Sequence, residues 1–267
     1  MLKSIIAVLD SVHAVTWNFT AHLYWREYMR KTGVQAFDRG LEVLRLLALN
    51  KRMTASKLAE EIGIHQTSAS RMLQSLQKAK LVYKPDFHSF APDIGIFALG
   101  SIAMRSFPIV DLAIETCVKL KMETGLEMAV ATLFEEKLFY FTASESKRTF
   151  YDSDFPVHVS SIGLLLAHSM GKRTALRIIR ASTKNSTYPG YEANQLYNMV
   201  DESMQKHGFL YLMDFLDNKI NCAIKFQFER GDAGLAIFSK QNYLSVEESE
   251  KILRNTLKKL TDSKTTS

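Results

Sequence analysis

Closely spaced segments of helical periodicity, followed by two short extended segments, constrain the fold of this chain more than any other feature. One helical segment follows Thr54 as its expected N-cap, and the next spans residues 66–80. Only two residues separate this segment from Gly63, which leaves room for no more than a tight turn between the two helices. The extended segments at 81–83 and 89–91 enclose a turn sequence. With the apolar helical repeat that precedes Thr54, this order predicts a winged helix-turn-helix domain.

The last of these predicted helices has a polar face that suits the major groove of DNA. Arg71 can pair with guanine or with a phosphate, and Gln66 and Gln74 can pair with adenine edges. No Asp or Glu lies between Gly63 and Pro85, so no carboxylate there would repel the DNA backbone. The residues of this helix that we predict to contact DNA are Gln66, Thr67, Ser68, Ser70, Arg71 and Gln74. Contacts to the DNA backbone are predicted for Arg39, Lys84 and His88. Contacts to flanking phosphates are also predicted for Lys51, Arg52 and Lys57.

The positive charge of the chain is concentrated in the same region. The net charge is +6, and residues 30–107 hold 12 basic and 6 acidic side chains. Residues 1–29 hold two of each kind, and residues 108–267 hold 20 of each. A basic module joined to a neutral one fits a polyanion-binding domain beside a domain of another kind. Two other interpretations stay open, namely a solvated basic face and a three-helix bundle that binds no nucleic acid.

The rest of the chain alternates between helical and extended segments. Pro108 marks the expected domain boundary, because proline favours the first position of a new helix. We expect strand pairs at 128–133 with 138–142 and at 221–228 with 233–239, and helices at 94–107, 108–123, 160–169, 173–181, 192–207 and 246–260. Strands and helices in this order predict an α+β fold in which helices surround a sheet.

Four segments of the sequence carry a resemblance to a known family. They are VQAFDRGLEVL at 34–44, TASKLAEEIGI at 54–64, TSASRMLQSL at 67–76 and FPVHVSSIG at 155–163. These segments resemble the IclR family of transcription regulators, and the resemblance runs from about residue 34 to residue 260. It implies a winged helix-turn-helix domain at 34–93, a linker helix at 94–107 and a GAF-like effector domain at 108–260, with flanking helices on an antiparallel sheet. It also implies homodimers or homotetramers that bind palindromic DNA operators, and control by a small metabolite, commonly an organic acid.

Two segments lie outside this resemblance. Residues 1–33 form an N-terminal extension that is rich in aromatic residues and has no clean period. Either it contains a short helix that packs on a partner subunit, or the true start of the chain is Met29. No secretory signal peptide is expected, because Asp10 ends the apolar run that follows Lys3. Residues 261–267 form a polar tail.

The effector site is predicted at the start of a helix in the second domain. Ser160 and Ser161 begin this helix, whose free N–H groups and dipole favour a carboxylate. The residues predicted to bind the effector are Ser160, Ser161, Ile162, Asp214, Asp217, Cys222 and Ser239, with Phe155 and Met128 as apolar walls. Two alternatives stay open. The first is that these serines only cap the helix, as a serine at a helix start usually does. Departures from the family's pattern also allow a member that binds DNA and oligomerises without sensing a ligand.

No catalytic, metal or cofactor motif accompanies these features. The patterns Gly-x-Ser-x-Gly, His-Glu-x-x-His and Gly-x-Gly-x-x-Gly are absent, so we expect no enzyme and no cofactor. Cys117 and Cys222 are the two cysteines, which is typical of a chain in the reducing cytoplasm and offers no zinc pattern. No apolar run reaches the roughly 18 residues that span a membrane.

Together, these patterns predict a sequence-specific DNA-binding regulator of transcription. We expect a repressor whose affinity for double-stranded operator DNA changes when a small organic acid binds. Nucleic-acid binding without sequence choice is the weaker alternative, because proteins that contact only phosphates depend mainly on Lys and Arg.

Overall fold

A computed structural model describes residues 34–134, 136–143, 155–184, 191–228 and 231–261. The chain divides between Phe107 and Pro108 into two units, and each has its own buried core. The predicted extension at 1–33, and the predicted tail apart from Thr261, lie outside the described residues.

The N-terminal unit combines a three-helix core with a small sheet. Its elements are α1 (Gln35–Asn50), β1 (Met53–Thr54), α2 (Ala55–Ile62), α3 (Gln66–Lys78), β2 (Val82–Tyr83), β3 (Ser89–Pro92) and α4 (Ile94–Met104). Leu47 of α1, Leu58 of α2 and Leu73 of α3 are completely buried in one cluster. Each helix has one apolar stripe, and the three stripes are removed from water by packing against each other.

The turn between α2 and α3 forms as the sequence predicts. The Thr54 hydroxyl accepts a hydrogen bond from the Lys57 N–H at 3.2 Å and caps α2. Gly63 has a φ of 71°, a left-handed conformation that glycine adopts without steric cost. The N–H of Ile64 then donates to the carbonyl of Ala59 at 2.9 Å, which closes the helix end.

The wing is a three-stranded sheet in the order β1-β3-β2. β2 pairs antiparallel with β3, and this pair is the predicted hairpin. β1 pairs with the other edge of β3, so that Met53 lies opposite Phe90. β1 was not predicted, because two residues are too few to show an alternating pattern.

The C-terminal unit is built on one antiparallel sheet of five strands in the order β5-β4-β8-β7-β6. Its elements are α5 (Pro108–Thr124), β4 (Glu127–Phe134), β5 (Lys137–Ala143), a 3-10 turn (Val157–Val159), α6 (Ser161–Ser169), α7 (Lys172–Lys184), α8 (Ala193–His207), β6 (Leu210–Phe215), β7 (Asn218–Phe228), β8 (Gly231–Ser239) and α9 (Val246–Thr261). An antiparallel sheet with these helices agrees with the predicted α+β fold class.

Helices cover both faces of the sheet. One face packs in a cluster with α6, α7 and α8, through residues such as Ala223 and Ala236. The opposite face packs in a second cluster with α5 and α9, through residues such as Cys222 and Leu235. Successive residues of a strand point to opposite faces, so neighbours in β7 belong to different cores.

The structure differs from the predicted elements at several places. β6 was missed: Asp214, predicted for the effector site, lies near the end of this strand, and Asp217 lies in the tight turn before Asn218. The α3 helix ends at Lys78 rather than residue 80, and α4 ends at Met104 rather than residue 107. No single helix of the described residues is long and apolar enough to cross a membrane; α4 and the consecutive α5 meet those criteria only when taken together.

Candidate DNA interface and effector cavity

The outer face of α3 carries the side chains predicted to read DNA. Ala69 and Leu73 are buried against the other helices. Four of the predicted contact residues are exposed, namely Gln66, Thr67, Arg71 and Gln74, and two are half-buried, namely Ser68 and Ser70. The exposed set therefore forms a surface with one cation and several amide and hydroxyl groups, which can hydrogen-bond to base edges.

The start of α3 is fixed by a residue that the sequence did not single out. His65 is the N-cap, and its Nδ1 atom lies 2.9 Å from the Thr67 hydroxyl and 3.4 Å from the Thr67 backbone N. Thr67 is thus oriented locally before any DNA contact is made. A histidine rarely serves as an N-cap, so the cap preferences gave no signal for it.

The tip of the wing is held by the carboxylate of Asp86. Its oxygens accept hydrogen bonds from the N–H groups of His88 and Ser89, both at 2.8 Å, and from the Ser89 hydroxyl at 2.6 Å. Arg52, which we expected beside a phosphate, donates to the same carboxylate at 3.2 Å. The hydrogen bond from the Ser89 hydroxyl, with the two backbone bonds and the charge of Arg52, lowers the pKa of Asp86 to about 2.

The three predicted backbone contacts stand on different elements of this unit. Lys84 and His88 are exposed in the wing, and the Lys84 ammonium lies 4.9 Å from the centre of the Phe90 ring. Arg39 is half-buried on α1. Both wing residues remain accessible to a polyanion.

A cavity in the C-terminal unit lies at the start of α6. Ser160, Ser161, Ile162 and Phe155 line it, as predicted for an effector site. The Ser160 hydroxyl accepts from the Gly163 N–H at 3.1 Å and lies 3.2 Å from the Tyr140 hydroxyl. Ser160 is therefore the N-cap of α6 as well as part of the cavity wall, so the two interpretations offered by the sequence are compatible.

Two asparagines from β7 also line the cavity. The Oδ1 atoms of Asn218 and Asn221 are buried and have no hydrogen-bond partner among the described residues. Asn221 is only 6% exposed. An unpaired buried amide oxygen is costly, and such groups in native proteins call for an explanation, one of which is a ligand. Neither asparagine was singled out from the sequence, although an asparagine within a buried strand was an available signal.

Comparison with known proteins identifies the DNA-binding part. Residues 36–86 match the family model of the IclR helix-turn-helix domain. This range holds α1 apart from its first residue, α2, α3 and the strands β1 and β2 of the wing, and it ends before β3. Residues 36–86 of this chain are therefore similar to the helix-turn-helix domain of IclR regulators.

A named transcription regulator is also similar to part of this chain. The HTH-type transcriptional regulator BhcR of Paracoccus denitrificans is 28% identical over 146 residues, which is 51% of this chain and 52% of BhcR. The alignment thus spans about half the length of that relative.

Solved structures show that the fold extends over both units. A Brucella abortus IclR family transcriptional regulator superposes with a TM-score of 0.67 at 16% identity, and the match covers 86% of this chain and 92% of that one. An IclR homolog from Microbacterium hydrocarbonoxydans, complexed with 4-hydroxybenzoate, superposes with a TM-score of 0.59 at 15% identity. The match covers 87% of this chain and 100% of that one.

Five residues predicted for the effector site, including the predicted wall residue Met128, do not line the cavity. Cys222 points to the opposite face of the sheet, where burial raises the pKa of its thiol to about 12. Ser239 also lies away from the cavity, and its hydroxyl accepts from the N–H groups of Gln241 and Asn242 after β8. Met128, expected as a wall, packs with Cys222.

The two acidic residues are also elsewhere. Asp214 is exposed, and its Oδ1 atom accepts from Lys219 Nζ at 2.9 Å and from the Tyr243 hydroxyl at 3.0 Å. Asp217 is exposed in the turn between β6 and β7. The prediction that these two residues and the helix-start serines share one site is corrected by this placement.

His158 is a buried histidine next to the cavity, and it was not singled out from the sequence. It is fully buried, its Nδ1 atom lies 2.9 Å from the Ser182 hydroxyl, and its Nε2 atom has no partner among the described residues. Burial lowers the pKa of His158 below its ordinary value. Burial therefore favours the neutral form of His158, which is the middle residue of the 3-10 turn that leads into Ser160.

This burial predicts a pH dependence of stability. Below the ordinary histidine pKa of about 6.5, the unfolded chain binds a proton at His158 that the folded chain does not. The free energy of unfolding should then fall as the pH decreases from 6.5 toward the lowered pKa, with a slope from this residue of at most about 1.4 kcal/mol per pH unit. Denaturant titrations of the wild-type chain and of His158→Gln between pH 7 and pH 5 measure this slope. Equal slopes for the two proteins would contradict the prediction.

Proposed function

We propose that this chain is a sequence-specific DNA-binding regulator of transcription that acts as a repressor in the cytoplasm. The observation that carries the proposal is the exposed polar face of α3, presented by a helix-turn-helix domain that matches the IclR model. Arg71, Gln66 and Gln74 can read bases, and the wing residues Lys84 and His88 can hold the DNA backbone.

Binding to DNA is the first test. The purified chain is titrated against its own upstream region and against a random duplex of equal length, at two salt concentrations. Preference for the upstream DNA that survives the higher salt supports the proposal, because sequence-independent contacts are lost as salt rises. Equal and salt-sensitive binding to both duplexes contradicts it.

The cavity at α6 supports the second part of the proposal, control by a small organic acid. The free N–H groups at the start of α6 favour a carboxylate, and the oxygens of Asn218 and Asn221 offer acceptors for a hydroxyl. A relative of the same fold is complexed with 4-hydroxybenzoate, which has both groups. Such an acid can shift the affinity for operator only if it binds the DNA-bound and free states differently.

Asn221→Leu is expected to separate ligand sensing from folding. The change removes an unpaired buried oxygen, so the free energy of unfolding should stay level or rise by about 1 kcal/mol. The change in operator affinity caused by 4-hydroxybenzoate or a related acid should be lost. Gel-shift titration with a panel of such acids and denaturant unfolding measure the two effects.

Cys222→Ala is the matched control for Asn221→Leu. It is the next residue of β7 but lies on the opposite face, so it should lower stability and leave the response to the acid intact. If the acid changes the operator affinity of Asn221→Leu as it does that of the wild type, Asn221 does not contact the ligand. If no acid alters the wild-type affinity, the chain binds DNA without sensing a ligand.

The helix α4 supports assembly as a homo-oligomer. None of its residues is buried, and five of its large apolar side chains are exposed: Ile94, Phe97, Leu99, Ile102 and Met104. A helix that is apolar all round needs cover from water, and a second copy of this chain would supply it in the pair that a palindromic operator requires.

Sedimentation tests this assembly. The wild-type chain should have a mass of at least twice 30.3 kDa, and the double variant Phe97→Glu with Ile102→Glu should fall toward the monomer. Phe134→Glu, an exposed position of the C-terminal unit, is the control and should keep the wild-type mass. A monomeric wild-type chain would exclude the proposed assembly.

A further inference from the structure

Phe87 stands at the tip of the wing with almost no cover. It is 89% exposed, more than any other large apolar side chain among the described residues. Its ring meets the ring of His88 edge to face, with centroids 5.7 Å apart. A single exposed phenylalanine is not unusual by itself, but this one projects from a rigid element beside two groups that we propose to contact DNA.

The Asp86 carboxylate fixes the conformation of the tip around Phe87. Its hydrogen bonds to the residues on the far side of Phe87, and its ion pair with Arg52, set the backbone on both sides of the ring. The same carboxylate makes the position of Phe87, unlike those of Lys84 and His88, a poor contact for phosphate, because its charge repels the DNA backbone. An aromatic ring, by contrast, can contact sugars and bases.

The position of the wing directly after α3 indicates which part of a DNA duplex Phe87 would approach. The α3 helix ends at Lys78, and β2 begins at Val82, so the hairpin lies directly beside the helix proposed to read the major groove. Major and minor grooves alternate along a duplex, and the tip of an adjoining hairpin therefore approaches the neighbouring minor groove. Lys84 and His88, both exposed, can bind the phosphates that border this groove.

We propose that Phe87 is an apolar wedge that enters the minor groove of the operator, partly unstacks one base step and bends the duplex. Side chains such as phenylalanine perform this role in architectural DNA-binding proteins, and the ring contact with bases offsets the cost of unstacking. Pyrimidine–purine steps deform most easily, so the wedge selects such a step at a position that no hydrogen bond reads. This inference rests on the proposed function and adds a second mode of sequence readout to it.

The test uses full-length protein and a duplex selected by the wild-type chain from a random pool. Affinity is measured over a series of salt concentrations, and bending by energy transfer between dyes at the two ends. Phe87→Ala should weaken binding roughly tenfold and reduce the bend, in line with the loss of one aromatic contact to a base. The salt dependence should not change, because an apolar contact releases no counterion. Phe87→Leu keeps an apolar wedge and should retain most of the bend.

Two control variants make the test specific. Lys84→Ala should lower the slope of log affinity against log salt by about one, as expected for a lost phosphate contact. Phe134→Ala makes the same substitution at an exposed phenylalanine of the C-terminal unit and should behave as the wild type does.

Each outcome decides the inference. Wild-type affinity and bend in Phe87→Ala overturn it while the proposed function stands. A changed oligomer mass in Phe87→Ala with unchanged DNA binding also overturns it, because the tip then contacts a second copy. If the pool yields no preferred duplex for the wild-type chain, the proposed function fails, and the wedge fails with it.

Discussion

Replacement of Arg71 by alanine is expected to weaken binding of the operator by about 1–3 kcal/mol and to relax sequence preference at one base pair. Arg71 is exposed on α3, and its guanidinium can donate two hydrogen bonds to one guanine. Titration of the variant against the operator and against duplexes changed at single positions measures both effects. If the variant discriminates between duplexes as well as the wild-type chain does, Arg71 reads no base.

Arg71→Lys is the matched control for this change. Lysine keeps the positive charge but cannot reproduce the planar pair of donors. The variant should keep most of its affinity for random DNA and lose discrimination at the same base pair. Full recovery of discrimination by lysine would mean that Arg71 contributes charge alone, as a phosphate contact does.

Gly163→Ala is expected to destabilise the C-terminal unit by about 1–3 kcal/mol. A Cβ atom at this position would lie 2.9 Å from the Val157 carbonyl oxygen and 2.9 Å from a methyl group of Leu138. Such contacts force α6 away from the 3-10 turn and the sheet. Denaturant unfolding followed by circular dichroism gives the stability, and the affinity for the acid should fall as well, because the cavity lies at the start of α6.

Gly40→Ala provides the comparison within the same chain. Gly40 lies within α1, and nothing stands within 4 Å of the position its Cβ would take. Alanine favours a helix over glycine, so this variant should be as stable as the wild type or gain up to about 1 kcal/mol. Equal stability of Gly163→Ala and the wild-type chain would show that α6 can shift without cost.

The DNA-binding unit was accessible to sequence reasoning because its signals are local. The cap at Thr54 and the left-handed Gly63 bracket α2 within ten residues, and α3 has a regular apolar repeat. Local propensity, turn chemistry and burial agree in this region, which is the condition under which a sequence specifies its structure plainly. The ion pair between Arg52 and Asp86 was not visible, because it joins residues far apart in the chain.

The lining of the candidate effector cavity could be predicted only in part, because the faces of a sheet cannot be assigned in a strand that is buried throughout. From Ala233 to Ser239 every residue of β8 is buried, so no alternation shows which side chains share a face. Ser160 and Ser161 were found through the helix start, which is again a local signal. Cys222 was placed on the wrong face, since a shift of one residue reverses the side.

The missed strand β6 has a related cause. Only Leu210, Leu212 and Phe215 of its six residues are buried, and Asp214 interrupts the pattern near its end. Nothing in such a short segment distinguishes a strand from a loop, and pairing with β7 decides the outcome.

The two-sided sheet has a consequence for how this protein can change. In β7, Asn221 belongs to the cavity and Cys222 to the core beneath α5 and α9. Under the proposed function, the codon for Asn221 is selected for recognition of the metabolite and the codon for Cys222 for stability of the fold. Variation of the cavity face of this strand, in evolution or in the design of a biosensor, would then change specificity while the opposite face preserves the fold.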